Sequence, residues 1–309
     1  MNSPVHNPLT QSILKTIAYF DIFDYPLTLV ELRKWLYQPD TVYSLSDIQG
    51  ALSGLRQIEH HFGFYFVAGR AEIVELRRQR YNLAEVKFRR ARLASAWLAR
   101  LGLVKMIAVC NNVGYNNGSA TSDIDFFIIA PAGRLWLTRL TAIIVTSVLG
   151  IRRKGDKEAN RICLSFYLSQ ARPDLANVRL AEGDPYLAYW LATLAPIYGQ
   201  RVYEDFLKSN AWLKTYLPNF YPTALINRRQ VFTKPWLVAT FWKTATRLGG
   251  EQLAKQLQWG RLQRYFGGDL ESATTNVMVS DDILKLHKTD RRAWYYQTWR
   301  KKVSQLDIV

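Results

Sequence analysis

Two aspartates at alternate positions are the residues of this sequence best suited to chemistry. Asp123 and Asp125 belong to Ser122-Asp123-Ile124-Asp125, which runs directly into the apolar segment Phe126-Phe127-Ile128-Ile129. Because side chains alternate along a strand, both carboxylates are predicted to point to one face. Neighbouring carboxylates repel each other unless a cation lies between them, and oxygen ligands of this kind suit Mg²⁺. The pattern predicts a metal site; the alternative is a polar turn that enters a buried strand.

The segments on either side of the acidic pair also indicate parts of a sheet. A short apolar strand, Met106 to Cys110, is followed by Asn111-Asn112. Asn tolerates the left-handed backbone conformation, and its amide can donate to a phosphate. After the acidic pair, a turn leads into a helix that is predicted to be buried as far as Ile151, and Arg139 in this helix is a candidate phosphate contact. A further apolar strand is predicted at 162–168.

The N-terminal segment predicts three helices followed by a hairpin. The helices are predicted to begin at three helix-start signals: Asn7-Pro8, the capping box Thr28-Leu29-Val30-Glu31 and the capping box Ser46-Asp47-Ile48-Gln49. The third helix is predicted to reach Ile58. Two apolar runs, 64–68 and 71–74, are separated by Gly69-Arg70, a pair suited to a tight turn. These runs predict the two strands of the hairpin.

Three helices and a hairpin in this order resemble a winged helix. The third helix of that fold normally enters the DNA major groove, and the hairpin touches phosphates. The candidate nucleic-acid contacts are Arg56, His60, His61 and Arg70. The third helix is poor in basic residues on its outer face. The alternative is therefore a winged helix used for protein contacts or domain packing.

The next segment, 76–105, contains nine Lys or Arg residues and a single acid, Glu85. Leu93, Trp97 and Leu101, together with Ala94 and Leu98, form an apolar stripe at helical spacing that is predicted to pack on a sheet. The basic residues around the stripe are predicted to form a solvated surface or to face the phosphates of nucleotides, tRNA or DNA.

The sequence beyond residue 180 predicts helices and then a tail. Helical spacing occurs in three segments, at 185–194, at 203–213 and at 241–262, the last interrupted at Gly249-Gly250. A hinge at Gly267-Gly268 is predicted to lead into a polar, basic tail that begins at Ser272.

Composition limits the class of protein. With 309 residues and 49% hydrophobic content, the chain can bury a large core and is expected to form two or three domains. Its formal charge of +16 favours polyanionic partners such as nucleic acid, nucleotides or an anionic membrane surface. An aromatic content of 13% excludes a disordered basic tail protein. Cys110 and Cys163 are predicted to be reduced packing residues, and the lack of a secretory signal or transmembrane run predicts a cytoplasmic protein.

Helix, strand, loop and acidic strand, in this order, resemble the DNA polymerase beta-like nucleotidyltransferase superfamily. The whole chain resembles uncharacterised bacterial nucleotidyltransferase-like proteins with an N-terminal winged helix. Three segments carry the resemblance: Phe23-Asp24-Tyr25-Pro26-Leu27-Thr28, residues 122–129 and Gly133-Arg134-Leu135-Trp136. The resemblance implies an α+β fold with a mixed sheet flanked by helices. It divides the chain into a winged helix at 1–82, a nucleotidyltransferase-like core at 83–179 and a helical C-terminal region at 180–309.

The resemblance implies transfer of a nucleoside monophosphate from a nucleoside triphosphate to a hydroxyl acceptor. Asp123 and Asp125 would hold Mg²⁺ or Mn²⁺. The nucleotide-binding residues that it implies are Asn111, Asn112 and Ser122, with Arg139 as a further phosphate contact.

The sequence departs from the family pattern at two places. Asn111-Asn112 stands where the family has Gly-Ser, and Ser165 stands where it has a third carboxylate, the general base. The alternative functions are a nucleotide- or nucleic-acid-binding regulator whose catalytic core has decayed and an antitoxin-like or scaffold partner.

Overall fold

The computed structural model describes residues 7–180, 183–222, 225–235, 239–270, 276–287 and 289–307. The fold is α+β, as predicted, with a mixed six-stranded sheet flanked by helices on both faces. Among the described residues, no helix is both long enough and apolar enough to cross a membrane.

Three short helices form the N-terminal unit: α1 (Pro8–Asp21), α2 (Leu29–Lys34) and α3 (Leu45–Ser53). Asn7 caps α1 with Pro8 at its first turn, and Thr28 forms a capping box with Glu31 at the start of α2, both as predicted. The predicted start of the third helix is wrong. Ser44 is the cap, because its hydroxyl and the carboxylate of Asp47 satisfy each other's backbone N–H groups.

A small antiparallel sheet completes this unit, with strands β1 (Leu27–Thr28), β2 (Ile58–His61) and β3 (Phe64–Val67) in the order β1-β3-β2. The predicted hairpin around Gly69-Arg70 is wrong. The chain turns at Phe62-Gly63 instead, where both residues have positive φ, 49° and 82°. The predicted second strand, 71–74, belongs to the next helix, whose first turn is favoured by two acidic residues.

The next helix, α4 (Glu72–Leu101), is 30 residues long, and the predicted domain boundary at residue 82 lies inside it. Its buried face consists mainly of small residues together with Phe88 and Leu98. The predicted apolar stripe is wrong at two positions, since Leu93 is 48% exposed and Trp97 is 39% exposed. The alanines that replace them on the buried face let the helix lie close to the sheet.

The central sheet has the strand order β7-β4-β5-β6-β9-β8, in which only β5 and β6 run parallel. Its strands are β4 (Met106–Val109), β5 (Ile124–Ala130), β6 (Ile162–Ser169), β7 (Ala195–Tyr198), β8 (Val277–Val279) and β9 (Ile283–Leu286). The predicted start of the polar tail, Ser272, lies outside the described residues. The segment beyond it supplies β8 and β9, so it is a structural part of the sheet.

The remaining helices are α5 (Asn111–Gly114), α6 (Leu135–Val148), α7 (Pro185–Ala192), α8 (Gln200–Ser209), α9 (Leu213–Tyr216), α10 (Ala239–Arg247), α11 (Gly250–Phe266) and α12 (Arg292–Asp307). Short 3-10 turns lie at Ala176–Val178, Asn227–Arg229 and Gly267–Leu270. The predicted break between α10 and α11 is confirmed. Gly249 has φ +81°, and a Cβ on Gly250 would lie 2.6 Å from the carbonyl oxygen of Ala245.

Two hydrophobic cores lie on opposite faces of the central sheet. On one face, α1 to α3, α7 to α9 and α12 pack against Ala108, Phe127 and Phe166. On the other face, α4, α6 and α11 pack against Phe126 and Tyr167. Because side chains alternate along β5, Asp125 lies on the same face as Phe127, beside the first core. This face therefore carries the acidic pair.

Candidate metal and phosphate site

The acidic pair converges with a third side chain. Asp125 is in β5, and Asp123 comes immediately before the strand. In the parallel pairing of β5 with β6, Cys163 lies directly beside Asp125. One carboxylate oxygen from each aspartate and the sulfur of Cys163 all lie within 4.8 Å of one another. The register of the two strands shifts just after Asp125, as is common beside functional sites.

The environment of Asp125 disfavours its negative charge. Burial and the nearby charge of Asp123 raise the pKa of Asp125 from its ordinary value of 3.8 to about 6. The side-chain amide of Asn111 donates to Asp125 Oδ2 at 2.8 Å and partly offsets this effect. Asn111 has φ +54°, the left-handed conformation for which the sequence made it suitable. It holds Asp125 in place.

Asp123 has a cationic partner. Nη1 of Arg153 lies 2.8 Å from Asp123 Oδ2, and Nη2 of Arg153 pairs with the carboxylate of Glu158. Among the described residues, by contrast, Asp125 forms no salt bridge. The guanidinium of Arg153 therefore neutralises one carboxylate of the pair and leaves the other charged or protonated according to pH.

Cys163 is the site residue that the sequence analysis missed, since it was interpreted as a packing residue. Both cysteines are free thiols, as predicted, but Cys163 is only partly buried. Burial and the two carboxylates raise its pKa well above the ordinary range, so it remains a neutral thiol. The only sequence signal was its position at the start of an apolar strand, and the strand register was needed to place it beside Asp125.

Asn112 and Ser122 lie near the acidic pair but have other hydrogen-bond partners. Asn112 Oδ1 accepts a hydrogen bond from the hydroxyl of Tyr115 at 2.6 Å. The hydroxyl of Ser122 donates to the carbonyl of Ser119 at 3.1 Å, within its own turn. The carbonyl of Ser122 accepts from Nζ of Lys87, which is fully buried. Ser122 thus anchors the loop that leads into the acidic strand.

Arg139 is not brought to the acidic pair. It projects from α6 into the second core, where its Nη1 donates to Gln258 Oε1 at 2.6 Å. Burial there lowers the pKa of its guanidinium. It therefore lies on the opposite face of the sheet from Asp125 and serves to join α6 to α11.

The two arginines predicted to contact nucleic acid differ in their surroundings. Arg56 is exposed in the loop between α3 and β2. Arg70 lies 2.6 Å from both Asp21 and Asp24, and it joins the end of α1 to the start of α4. Its charge is thus already balanced inside the N-terminal unit, whereas that of Arg56 is available at the surface.

A cavity of about 200 Å³ opens beside Asn111. Its walls include aromatic side chains, among them Phe166, Trp190 and Tyr295. Lys285 of β9, which pairs with Phe166, and His287, which follows the strand, also line the cavity. Because Asn111 contacts both the cavity and Asp125, the cavity adjoins the acidic pair.

A network of buried charges forms the part of the cavity wall that contains Lys285, Asp290 and Arg292. Lys285 Nζ lies 2.8 Å from Asp290, and Arg292 lies 2.7 Å from Asp184 and 2.8 Å from Asp290. Burial and the positive charge of Lys285 lower the pKa of His287 to about 4. At neutral pH its imidazole is therefore uncharged.

Ser165 is buried on β6, at the position where the resemblance implies a third carboxylate. Within the described ranges, the group of metal-ligating side chains here holds two carboxylates and one thiol. Comparison of the chain with protein-family models, curated proteins and solved structures found no match.

Proposed function

We propose that this protein is a nucleotidyltransferase, which transfers a nucleoside monophosphate from a nucleoside triphosphate to a hydroxyl acceptor with the help of Mg²⁺ or Mn²⁺. The observation that carries the proposal is the convergence of Asp123 and Asp125 on one face of the sheet, beside a cavity of about 200 Å³. Acidic pairs of this kind are the usual holders of the cations that accompany phosphoryl transfer.

The order of elements supports the proposal. The sequence α4, β4, α5, β5, α6, β6 follows the order of helix, strand, loop and acidic strand on which the family resemblance rests. In the N-terminal unit, three helices with the small sheet β1-β3-β2 support the proposal of a winged helix. The order of elements therefore agrees with a winged helix followed by a nucleotidyltransferase core.

The donor atoms fit a hard divalent cation. Two carboxylates suit Mg²⁺ or Mn²⁺, whose remaining positions are normally taken by waters and phosphate oxygens. Cys163 does not oppose this fit as long as its thiol remains protonated. Asp123 and Asp125 would hold the cation, which would supply neutralisation of the negative charge that develops during phosphoryl transfer. Asn111 orients Asp125, and Arg153 is placed to meet the phosphates that approach Asp123.

The proposed reaction is a displacement at the α-phosphorus, in which one bond forms and one bond breaks. The oxygen of the acceptor hydroxyl forms a bond to the α-phosphorus, and the bond from that phosphorus to the pyrophosphate oxygen breaks. Pyrophosphate leaves, and the hydroxyl proton passes to a base. This displacement needs positioning and charge neutralisation more than covalent participation by the protein.

The test is transfer of label from α-labelled nucleoside triphosphates to RNA, protein or small hydroxyl compounds, with Mg²⁺ or Mn²⁺ present. Transfer should vanish in Asp123→Asn and in Asp125→Asn. Asp156→Asn, the same change on an exposed loop residue, is the matched control and should retain activity. If the wild-type protein binds no metal–nucleotide complex by calorimetry, the proposal is wrong.

A second candidate is a regulator that binds nucleotide or nucleic acid without turnover. It is favoured by Ser165 in place of a carboxylate and by the pairing of Arg153 with Asp123, which neutralises half of the acidic pair. The full-length protein should then bind DNA with a steep salt dependence that Arg56→Ala reduces. Because α3 has no Lys or Arg, this candidate relies on the loops around it.

A further inference from the structure

The proposed reaction requires a group that accepts the proton of the attacking hydroxyl. Ser165, which stands in the position of the third carboxylate, cannot accept a proton at neutral pH. The proposed reaction therefore needs another base among the described residues near Asp125. The side chains that line the adjacent cavity are the place to search, because a general base must reach the proton that it removes.

His287 lines the cavity that adjoins the acidic pair. His287 comes directly after β9, two residues beyond Lys285, and both side chains line the cavity. Lys285 pairs with Phe166 of β6, on the face that carries Asp125. His287 and Asn111 line one cavity, and Asn111 donates directly to Asp125. An acceptor bound in this cavity would therefore contact His287 and lie beside Asn111, the residue that holds Asp125.

The charges around His287 keep its imidazole free to accept a proton. Lys285 reaches it from its own strand, Asp290 from the following loop, Arg292 from α12 and Arg153 from the loop before β6. Burial is the largest cause of the lowered pKa of His287, and three of these four groups are cations, so the neutral imidazole is the stable form at neutral pH. A bound triphosphate would add negative charge and bring the pKa of His287 closer to neutrality, where a general base is most effective.

The size and walls of the cavity indicate what could bind there. Its volume, about 200 Å³, exceeds the roughly 150 Å³ cavity that binds benzene in another protein. The rings of Phe166 and Trp190 are stacked 5.3 Å apart and present apolar surface. The cavity therefore suits a single ring that carries a hydroxyl group.

We infer that His287 is the general base of the proposed transfer and that the cavity beside Asp125 binds the ring-bearing hydroxyl acceptor. This inference rests on the proposed function. A ring nitrogen of His287 takes the hydroxyl proton as the oxygen forms its bond to the α-phosphorus. Pyrophosphate leaves with the electrons of the broken bond, and the imidazolium then returns its proton to solvent.

The test compares His287→Gln with His287→Glu in the full-length protein. The two replacements have nearly the same shape, but only the carboxylate of Glu can accept a proton. Pyrophosphate release from ATP in the presence of Mg²⁺ or Mn²⁺ reports transfer to any hydroxyl, water included. We expect His287→Gln to release pyrophosphate about a hundredfold more slowly than the wild type, or slower still. We expect His287→Glu to be at least about tenfold faster than His287→Gln.

Glu204→Gln, a change at an exposed residue of α8, is the control and should leave the rate unchanged. Equal rates for the Gln and Glu variants, or a Gln rate within about threefold of wild type, would overturn the inference while the proposed function stands. A wild-type protein that binds the metal–ATP complex but releases no pyrophosphate would overturn the inference and favour the regulator. A protein that binds no such complex would remove the proposed function as well.

Discussion

Replacement of Asp125 by asparagine should stabilise the metal-free protein. In the folded state the pKa of Asp125 is about 6, against an ordinary value of 3.8. A difference of one in pKa corresponds to about 1.4 kcal/mol, so the isolated carboxylate would destabilise the fold by about 3 kcal/mol at high pH. Asp125 is partly exposed and interacts with Asp123, so we expect about 1 to 3 kcal/mol. Asn removes the charge and can still accept from Asn111.

The sign of this effect depends on pH. Because the folded protein binds the Asp125 proton more tightly than the unfolded chain does, the destabilisation is absent below the ordinary pKa of 3.8 and complete above about 6. The stabilisation by Asp125→Asn should therefore be largest above pH 6 and fade as the pH falls. Urea unfolding at one pH above and one pH below this range, with a chelator present, measures it.

The same experiment has a control and a metal arm. Asp156→Asn should change the free energy of unfolding by less than about 0.5 kcal/mol, because Asp156 is exposed. Saturating Mn²⁺ should stabilise the wild type, by about 2.7 kcal/mol at a hundred times the Kd, and should not stabilise Asp125→Asn. Destabilisation by Asp125→Asn above pH 6, or an equal effect at both pH values, would show that the negative charge of Asp125 does not destabilise the fold.

Three further predictions follow from the contacts of the site. Arg153→Ala should tighten Mn²⁺ binding about two- to fivefold by calorimetry, because the cation no longer competes with the guanidinium for Asp123, and unchanged affinity would contradict this competition. Cys163→Ser should leave the Kd for Mn²⁺ within about threefold, whereas a loss above about tenfold would mean that the thiolate is a ligand. Arg292→Leu should lower the free energy of unfolding by about 3 to 5 kcal/mol, because it leaves Asp184 and Asp290 buried without this partner. Arg291→Leu, at an exposed position, should change it by less than about 0.5 kcal/mol, and equal losses in the two variants would refute the reasoning.

Local signals in the sequence were sufficient for several elements. The caps at Asn7 and Thr28 were predicted because they depend on residues within one helical turn. The proximity of the Asp123 and Asp125 carboxylates was also predicted from local sequence, because the two residues are only two positions apart. The hairpin was wrong because Phe62 adopts a left-handed conformation that its residue type does not favour, and the neighbouring Gly63 alone gave too little signal.

Other features depend on contacts between distant segments. Cys163 could be placed beside Asp125 only through the register of β5 and β6. His287 belongs to a segment that looked like a polar tail, because a short strand with Lys285 at a buried position has no apolar pattern. Leu93 and Trp97 were expected in the core because periodicity identifies a stripe but not which of two adjacent stripes faces the sheet. In each case the missing information was tertiary.

The position of β9 has a consequence for how the protein is made. This strand lies beside β6 in the sheet but is synthesised long after it, once α7 to α11 have left the ribosome. Until then, the nascent chain presents β6 with one open edge, a template to which other strands can add. The wall of the cavity that contains His287 is also missing at that stage. The acidic pair therefore forms early in biosynthesis, whereas the complete pocket is assembled only after β9 and α12 dock.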